Sequence, residues 1–436
     1  MGFPLIGETI QFIIPSRSID IPPFIDKRMK RYGPLFKTSL VGRPVVVSCD
    51  PEFNQFIFQQ EGKLVELWYL DSFAKILRQD TLTFTPNGYI HKYLRNRVLN
   101  QFGADILKRK LLSEMEHVIC AKLQAWSTLP TVELKSATSA MIFDYTSKQL
   151  FSYEADKSEE NLAETFNNFM KGLMSIPLNL PGTAFHECLK RLIKLLSRLL
   201  EERRASSSGN CKGDFLDQIV EDMKNETFLT DDFAVSMMFG ILLASIETLS
   251  GNLTVLIKLL TGHPAVVKEL MEEHEAILKN RGNANSGLSW SECQSMTFTH
   301  HVVSEALRMG NIPPGILRRA TNDIQVNGYT IPKGWIIMVV PAALQLNPTT
   351  YEDPLAFNPW RWKDMGSNVT GKNFITFGGG TRSCVGADFA KVLMAVFLHF
   401  FLTKYRWTKA KGGEVVRTPA LGFGNGFHIQ VSEKHE

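Results

Sequence analysis

The sequence predicts a mainly α-helical protein carrying small β-sheets, on three observations. First, a long helical run begins near Thr230 and Asp231, both acceptable N-cap residues, and ends at Gly262-His263-Pro264, where glycine and proline stop a helix. About thirty residues at ~1.5 Å each span roughly 45 Å, enough to cross a whole domain. The run is apolar on more than one face, most of all from Phe239 to Ile246, so it belongs in an interior. Second, the alternating segments Pro34 to Thr38 and Pro44 to Cys49, separated by V-G-R, read as a small β-hairpin region before residue 85. Third, a strand-rich patch runs from Ile324 to Val340, where Q-V-N-G-Y-T-I-P-K-G-W supplies two turns. Most of the remaining chain has helical spacing.

Bulk properties narrow the class. Apolar residues make up 44% and charged residues 21% of the 436, a globular balance without a disorder signature. The 48 basic and 44 acidic residues leave a net charge of +4, too small for a nucleic-acid footprint. Six scattered cysteines with no C-x-x-C pair fit neither a disulfide framework nor a zinc module, and favour a reducing, cytosol-facing compartment. The opening M-G-F-P-L-I-G-E is neither a signal peptide nor a membrane span. The linker-like stretch Ala205 to Gly213 reads as a surface loop, so residues 1–436 are expected to form one catalytic domain.

The strongest chemical signal is F-G-G-G-T-R-S-C-V-G, Phe377 to Gly386, followed at once by a helical run. Three glycines let the backbone turn sharply and a flat ligand lie close. Cys384 precedes a helix N-terminus, where the dipole and free N–H groups favour a thiolate. Arg382 stands ready for an anionic group at the ligand's edge. In S-E-A-L-R, Glu305 and Arg308 share one helical face, and so do His91 and Arg95 in G-Y-I-H-K-Y-L-R. Thr248, in the middle of the long helix, is placed to bond the carbonyl four residues back and bend it.

The pattern F-x-x-G-x-R-x-C-x-G resembles the haem-binding loop of cytochromes P450 at every defining position, and the likeness extends over nearly the whole chain. It implies the cytochrome P450 fold enclosing a haem b, with Cys384 as the iron ligand and Phe377 and Gly386 in the cofactor loop. A-S-I-E-T-L-S is similar to the family's oxygen-activation motif, with Glu247 and Thr248 as the acid–hydroxyl pair; Ser245 and Leu249 depart from it. F-N-P-W-R-W places Arg361 as the second arginine of a buried cluster with Glu305 and Arg308. Arg95, Arg382 and Arg318 become three cations for two haem propionates, with His91 an added donor, although the adjacent Arg319 leaves the choice within L-R-R-A open.

The implied activity is an NADPH- and O2-dependent monooxygenase. No dinucleotide fingerprint or flavin domain is evident, so electrons are expected from a separate NADPH-cytochrome P450 reductase. P-L-N-L-P-G-T, Pro177 to Thr183, and M-K-R-Y-G-P-L-F-K-T-S-L-V-G-R-P resemble the plant clan that oxidises triterpenoids and sterols, which implies a large apolar polycyclic substrate. By analogy Trp68, Leu70, Leu242, Ala244, Ile316 and Phe423 fall in substrate-facing segments. The chain starts where family members have just left a membrane anchor, so the expected location is the cytosolic face of the endoplasmic reticulum membrane. The alternatives are a reductase-independent haem-thiolate isomerase or dehydratase, the same oxidation of another terpenoid or fatty acid, and a haem or sterol carrier without activity.

Overall fold

A computed structural model describes residues 6–70, 74, 88–154, 162–174, 182–206, 212–283, 286–365 and 371–434. Helix α1 (Pro23–Tyr32) leads into strands β1 (Leu35–Leu40) and β2 (Arg43–Ser48), then α2 (Pro51–Gln59) and the short β3 (Val65–Leu67). Helical structure dominates from there: α3 (Gly88–Phe102), α4 (Leu112–Ser127), α5 (Leu134–Phe151), α6 (Leu162–Met174), α7 (Ala184–Ala205), α8 (Phe215–Asp222) and α9 (Asp231–Thr261), with β4 (Val132–Glu133) before α5. Helices α10 (Pro264–Asn280) and α11 (Thr297–Gly310) precede β5 (Ile316–Ala320), β6 (Ile324–Val326), β7 (Tyr329–Ile331) and β8 (Ile336–Val339). Helix α12 (Ala387–Lys404) is followed by β9 (Tyr405–Gly412), β10 (Val415–Arg417), β11 (Leu421–Phe423) and β12 (Phe427–Glu433).

The bounds of α9 follow from its ends. The Thr230 side chain accepts the Phe233 N–H, Asp231 and Asp232 sit in the positive first turn, and Gly262 closes the helix. By length and composition α9 is capable of crossing a membrane, but 67% of its most apolar window is buried inside the protein, so it is the central core helix. It packs on α5, α7 and α11, while α12 packs on α4, α10 and α11, and one large apolar cluster runs through all of them. Ala244 and Thr248 form an accessible strip on α9, although Leu243, Ile246 and Leu249 around them are buried.

The largest sheet has the order β1-β2-β8-β5-β3. Its hairpin turns on two residues, Val41 (φ 53°) and Gly42 (φ 71°), so the strands extend to a Leu40–Arg43 pair where V-G-R suggests a longer connection. The Asn327-Gly328 turn joins β6 to β7 as the sequence indicates, with both φ values positive. Strands β5 and β9 to β12 were not legible as such. Strand β9, Y-R-W-T-K-A-K-G, is largely exposed and hides no face for alternation to reveal. Strand β12 does alternate, burying Phe427, Ile429 and Val431, and its period of two is visible in retrospect.

Candidate active site

The loop from Phe377 to Gly386 is pinned by its own backbone and by α2. The Cys384 N–H donates to the Phe377 carbonyl at 2.8 Å, and Gly378 and Gly380 take positive φ of 72° and 65°. A Cβ on Gly379 would stand 2.6 Å from the Phe58 ring, and one on Gly380 2.1 Å from the Phe58 carbonyl oxygen. Two of the three glycines are therefore required by Phe58 of α2, a close approach the sequence did not suggest. Gly378 alone of the three is uncrowded: a Cβ there would meet only Ile316 Cδ1, in ordinary contact at 3.8 Å.

Cys384 is exposed and is a free thiol, as are the other described cysteines Cys49, Cys120, Cys188 and Cys293. Burial of its sulfur among surrounding atoms pushes the thiol above its ordinary value, while the Gly386 N–H and the Arg95 charge pull it down. The helix-end contribution expected from the sequence is present and smaller than the burial it opposes. A bound metal ion deprotonates a coordinating thiol outright and overrides that balance.

Four cationic or ionisable side chains gather beside the loop. Arg95 of α3 donates to the Ser383 carbonyl at 2.7 Å, one residue before the cysteine. Arg318 and Arg382 each donate an Nε–H to the Glu61 carboxylate, at 2.6 Å and 3.1 Å. His91, a turn before Arg95, is pushed down to about 4 by burial and by the charges of Arg382 and Arg95, and is neutral at pH 7. Strand alternation in β5 sets Arg318 and Arg319 apart: Arg318 is 3% exposed and turns inward to Glu61, whereas Arg319 is 47% exposed and pairs with Glu66. Tyr69 lies close enough to feel the charges of Arg318 and Arg382. Neither Glu61 nor Tyr69 belongs to a motif that sequence reading could single out.

On α9 the Thr248 hydroxyl donates to the Ala244 carbonyl at 2.6 Å, and the Asn252 amide donates to the Thr248 carbonyl. The helix continues unbroken through both bonds. Glu247 pairs with Lys135 of α5 at 2.6 Å, a partner the sequence did not suggest; the two side chains are 18% and 30% exposed. On α11, Arg308 grips Glu305 with two bonds of 2.8 Å, both side chains fully buried, and Arg361 reaches the same carboxylate at 3.1 Å. The Trp362 indole N–H and the Asn358 backbone N–H complete the shell at 2.9 Å and 3.0 Å, and Arg308 also donates to the Gln345 carbonyl.

The expected substrate-facing residues divide. Leu70 and Ala244 are exposed, and Ile316 and Phe423 half-buried. Leu242 is 1% exposed because two residues along a helix turn it about 200° away from Ala244, into the core. Trp68 is also core: it belongs to the buried apolar cluster that includes Phe24, Phe58 and Met338, and lies under the Arg43 guanidinium. Most of M-M-F-G-I-L-L is likewise buried, leaving Gly240 and Ile241 partly open. In the stretch Pro177 to Thr183, residues 177–181 lie outside the described residues, and Thr183 caps α7 by accepting the His186 N–H.

This fold, with its glycine–cysteine loop ahead of a core helix, points to a single enzyme family, and comparison with known proteins agrees. The cytochrome P450 profile matches residues 2–426, so the chain belongs to the cytochrome P450 family and is an oxidoreductase of the monooxygenase type. It is 50% identical to Cytochrome P450 87A3 of Oryza sativa subsp. japonica, covering 100% of this chain and 85% of that one. It is 46% identical both to the Beta-amyrin 16-alpha-hydroxylase of Maesa lanceolata and to the Cucurbitadienol 11-hydroxylase of Siraitia grosvenorii, in each case over 100% of this chain and 92% of the relative. The fold superposes on retinoic-acid-bound cyanobacterial CYP120A1 with a TM-score of 0.86 at 25% identity, over 100% of this chain and 98% of the other. Membership implies a haem cofactor and electrons from a redox partner. The residues fit that group: an accessible cysteine, a glycine approach uncrowded at Gly378, and inward guanidinium groups suited to carboxylates.

Proposed function

We propose that this chain hydroxylates a tetracyclic or pentacyclic triterpenoid, using O2 and NADPH, with haem b held through Cys384 and electrons delivered by NADPH-cytochrome P450 reductase. The observation that carries the chemistry is Cys384 standing accessible in a loop clamped by Arg95 and Phe58. The substrate class rests on the two 46% identical relatives, whose names record hydroxylation of beta-amyrin and cucurbitadienol.

The chemistry a bound haem supplies is reductive activation of dioxygen: RH, O2, NADPH and a proton give ROH, water and NADP+. Cys384 would donate electron density as the thiolate ligand, the mode of ligation general to this enzyme class. Arg95, Arg318 and Arg382 would hold the propionates by charge-assisted hydrogen bonds, and His91 would add a neutral donor. Phe377 and Gly386 bracket the loop and fix the sulfur's approach. Glu305, Arg308 and Arg361 hold the segment around Asn358 and Trp362 that leads towards it. Glu247 and Thr248 would serve proton delivery: the Glu247–Lys135 pair is partly open to solvent, and the Thr248 hydroxyl, which donates its hydrogen to the Ala244 carbonyl, keeps lone pairs that would order a water. Ala244, Ile316, Leu70 and Phe423 offer apolar surface to the substrate. The exposed Ile6, Ile10, Ile13 and Ile14 support association of this end of the molecule with the endoplasmic reticulum membrane.

Burying several hundred Å² of rigid hydrocarbon at about 25 cal/mol per Å² supplies affinity with little conformational entropy lost. Titration with a tetracyclic triterpene, a pentacyclic triterpene, a phytosterol and lauric acid, followed by the shift of the haem band and then by product mass with reductase and NADPH, tests the reading. A triterpene binds most tightly and gains one oxygen. Tighter binding and faster turnover of lauric acid than of all three polycyclic compounds would overturn the substrate class.

A further inference from the structure

Glu61 is the one acid placed among the site's arginines by the contacts described. It follows α2, is 7% exposed, and its carboxylate accepts from Arg318 at 2.6 Å through one oxygen and from Arg382 at 3.1 Å through the other. The second oxygen also accepts the Leu67 N–H at 3.2 Å, which ties Glu61 to β3, the strand paired with the one that carries Arg318. A carboxylate between two guanidinium groups is costly to bury unless each charge is compensated. Counting charges shows what it does. Arg95, Arg318 and Arg382 contribute three positive charges, and two propionates contribute two negative ones. His91 adds none at pH 7. A ferric porphyrin centre and its thiolate cancel. One positive charge is left over, and Glu61 is the group that removes it.

We propose that Glu61 is a positioning residue of the propionate cradle: its carboxylate sets the Arg318 and Arg382 guanidinium groups side by side and makes the cradle electrically neutral around a bound haem. The inference rests on the haem reading above. Glu61 touches the arginines and acts on the haem through them. An acid whose only task was to join the loop to β3 would be replaceable by an amide that keeps the same hydrogen-bond acceptor, whereas a charge-balancing acid would not be.

The test is the ferric/ferrous reduction potential of the haem-loaded protein in the wild type, Glu61→Gln, Glu61→Asp and the double variant Glu61→Gln/Arg382→Gln, with the reduced carbon monoxide spectrum recorded on each. Glu61→Gln raises the potential, because an uncompensated positive charge favours the reduced haem. Glu61→Asp stays near wild type. The double variant, with net charge restored and two side chains altered, returns towards wild type. If Glu61→Gln retains too little haem to measure, retention of haem by Glu61→Asp, which keeps the charge, supports the same conclusion, and equal depletion of Glu61→Asp overturns it. A Glu61→Gln potential equal to wild type, or a double variant whose potential stays displaced as far as that of Glu61→Gln, also overturns the proposal. A wild type without the thiolate-type carbon monoxide band would instead remove the haem reading itself.

Discussion

Side-chain direction decides several roles that residue type alone leaves open. In L-R-R-A the two arginines are chemically equivalent as sequence, and only the knowledge that they sit on a strand separates them: Arg318 faces Glu61 and Arg319 faces solvent and Glu66. Arg318→Gln is therefore expected to lower haem content severalfold, whereas Arg319→Gln leaves haem content and thermal midpoint near wild type, within about 0.5 kcal/mol. Equal losses of haem in the two variants would contradict the assignment. Thr248→Ala is expected to keep haem and substrate binding and to reduce product formed per NADPH consumed by about tenfold or more, the scale of a lost proton-delivery group. Wild-type coupling in that variant would move proton supply away from Thr248. Glu61 and Lys135 escaped sequence reading because a single charged residue far along the chain from its partner leaves no pattern.

Elements were legible where their ends or faces carry a signal. Capping by Thr230 and termination at Gly262 made α9 readable to within a residue, and the spacing in S-E-A-L-R put Glu305 and Arg308 on one face of α11. What spacing could not show is that the carboxylate meets Arg361 and Trp362 as well, inside the protein. Glu305→Ala leaves Arg308, a fully buried cation, without its carboxylate, at a cost of about 3–5 kcal/mol. Against a total stability of about 5–15 kcal/mol, mostly haem-free or aggregated protein is expected, seen as a low ratio of haem to protein absorbance. A fully loaded, normally stable variant would contradict it.

A second pair joins α10 to α12. His274 and His399, both buried, meet Nδ1 to Nδ1 at 3.1 Å, and Thr299 lies 3.2 Å from His274 Nε2. Burial and the neighbouring His399 ring push His274 down to about 3, and burial with the Arg281 charge pushes His399 down to about 4, with Lys404 lowering it further and Glu292 opposing. Both values lie below the ordinary 6.5, so between them the unfolded chain binds protons that the folded one refuses. This contribution to stability is whole above pH 6.5 and declines as the pH falls towards 4, by up to about 1.4 kcal/mol per pH unit for each ring. Denaturant midpoints measured from about pH 7.5 down to about pH 4.5 should fall more steeply for the wild type than for His274→Phe/His399→Leu. Parallel slopes would show that neither ring titrates with unfolding.

At the scale of the whole molecule, the helical class, the central helix and the family could all be read from the residues, because caps, turns and a ten-residue signature are local. The order of strands around the large sheet, the clamp of Phe58 on the glycines and the burial of Trp68 and Leu242 depend on contacts between distant segments and were not accessible to local pattern. Every role assigned to the site depends on Cys384 as the thiolate ligand of a haem. The most direct test is the reduced carbon monoxide difference spectrum of the wild type beside Cys384→Ala. The wild type shows the absorption characteristic of thiolate ligation and Cys384→Ala loses it; an unchanged band in Cys384→Ala would contradict the assignment.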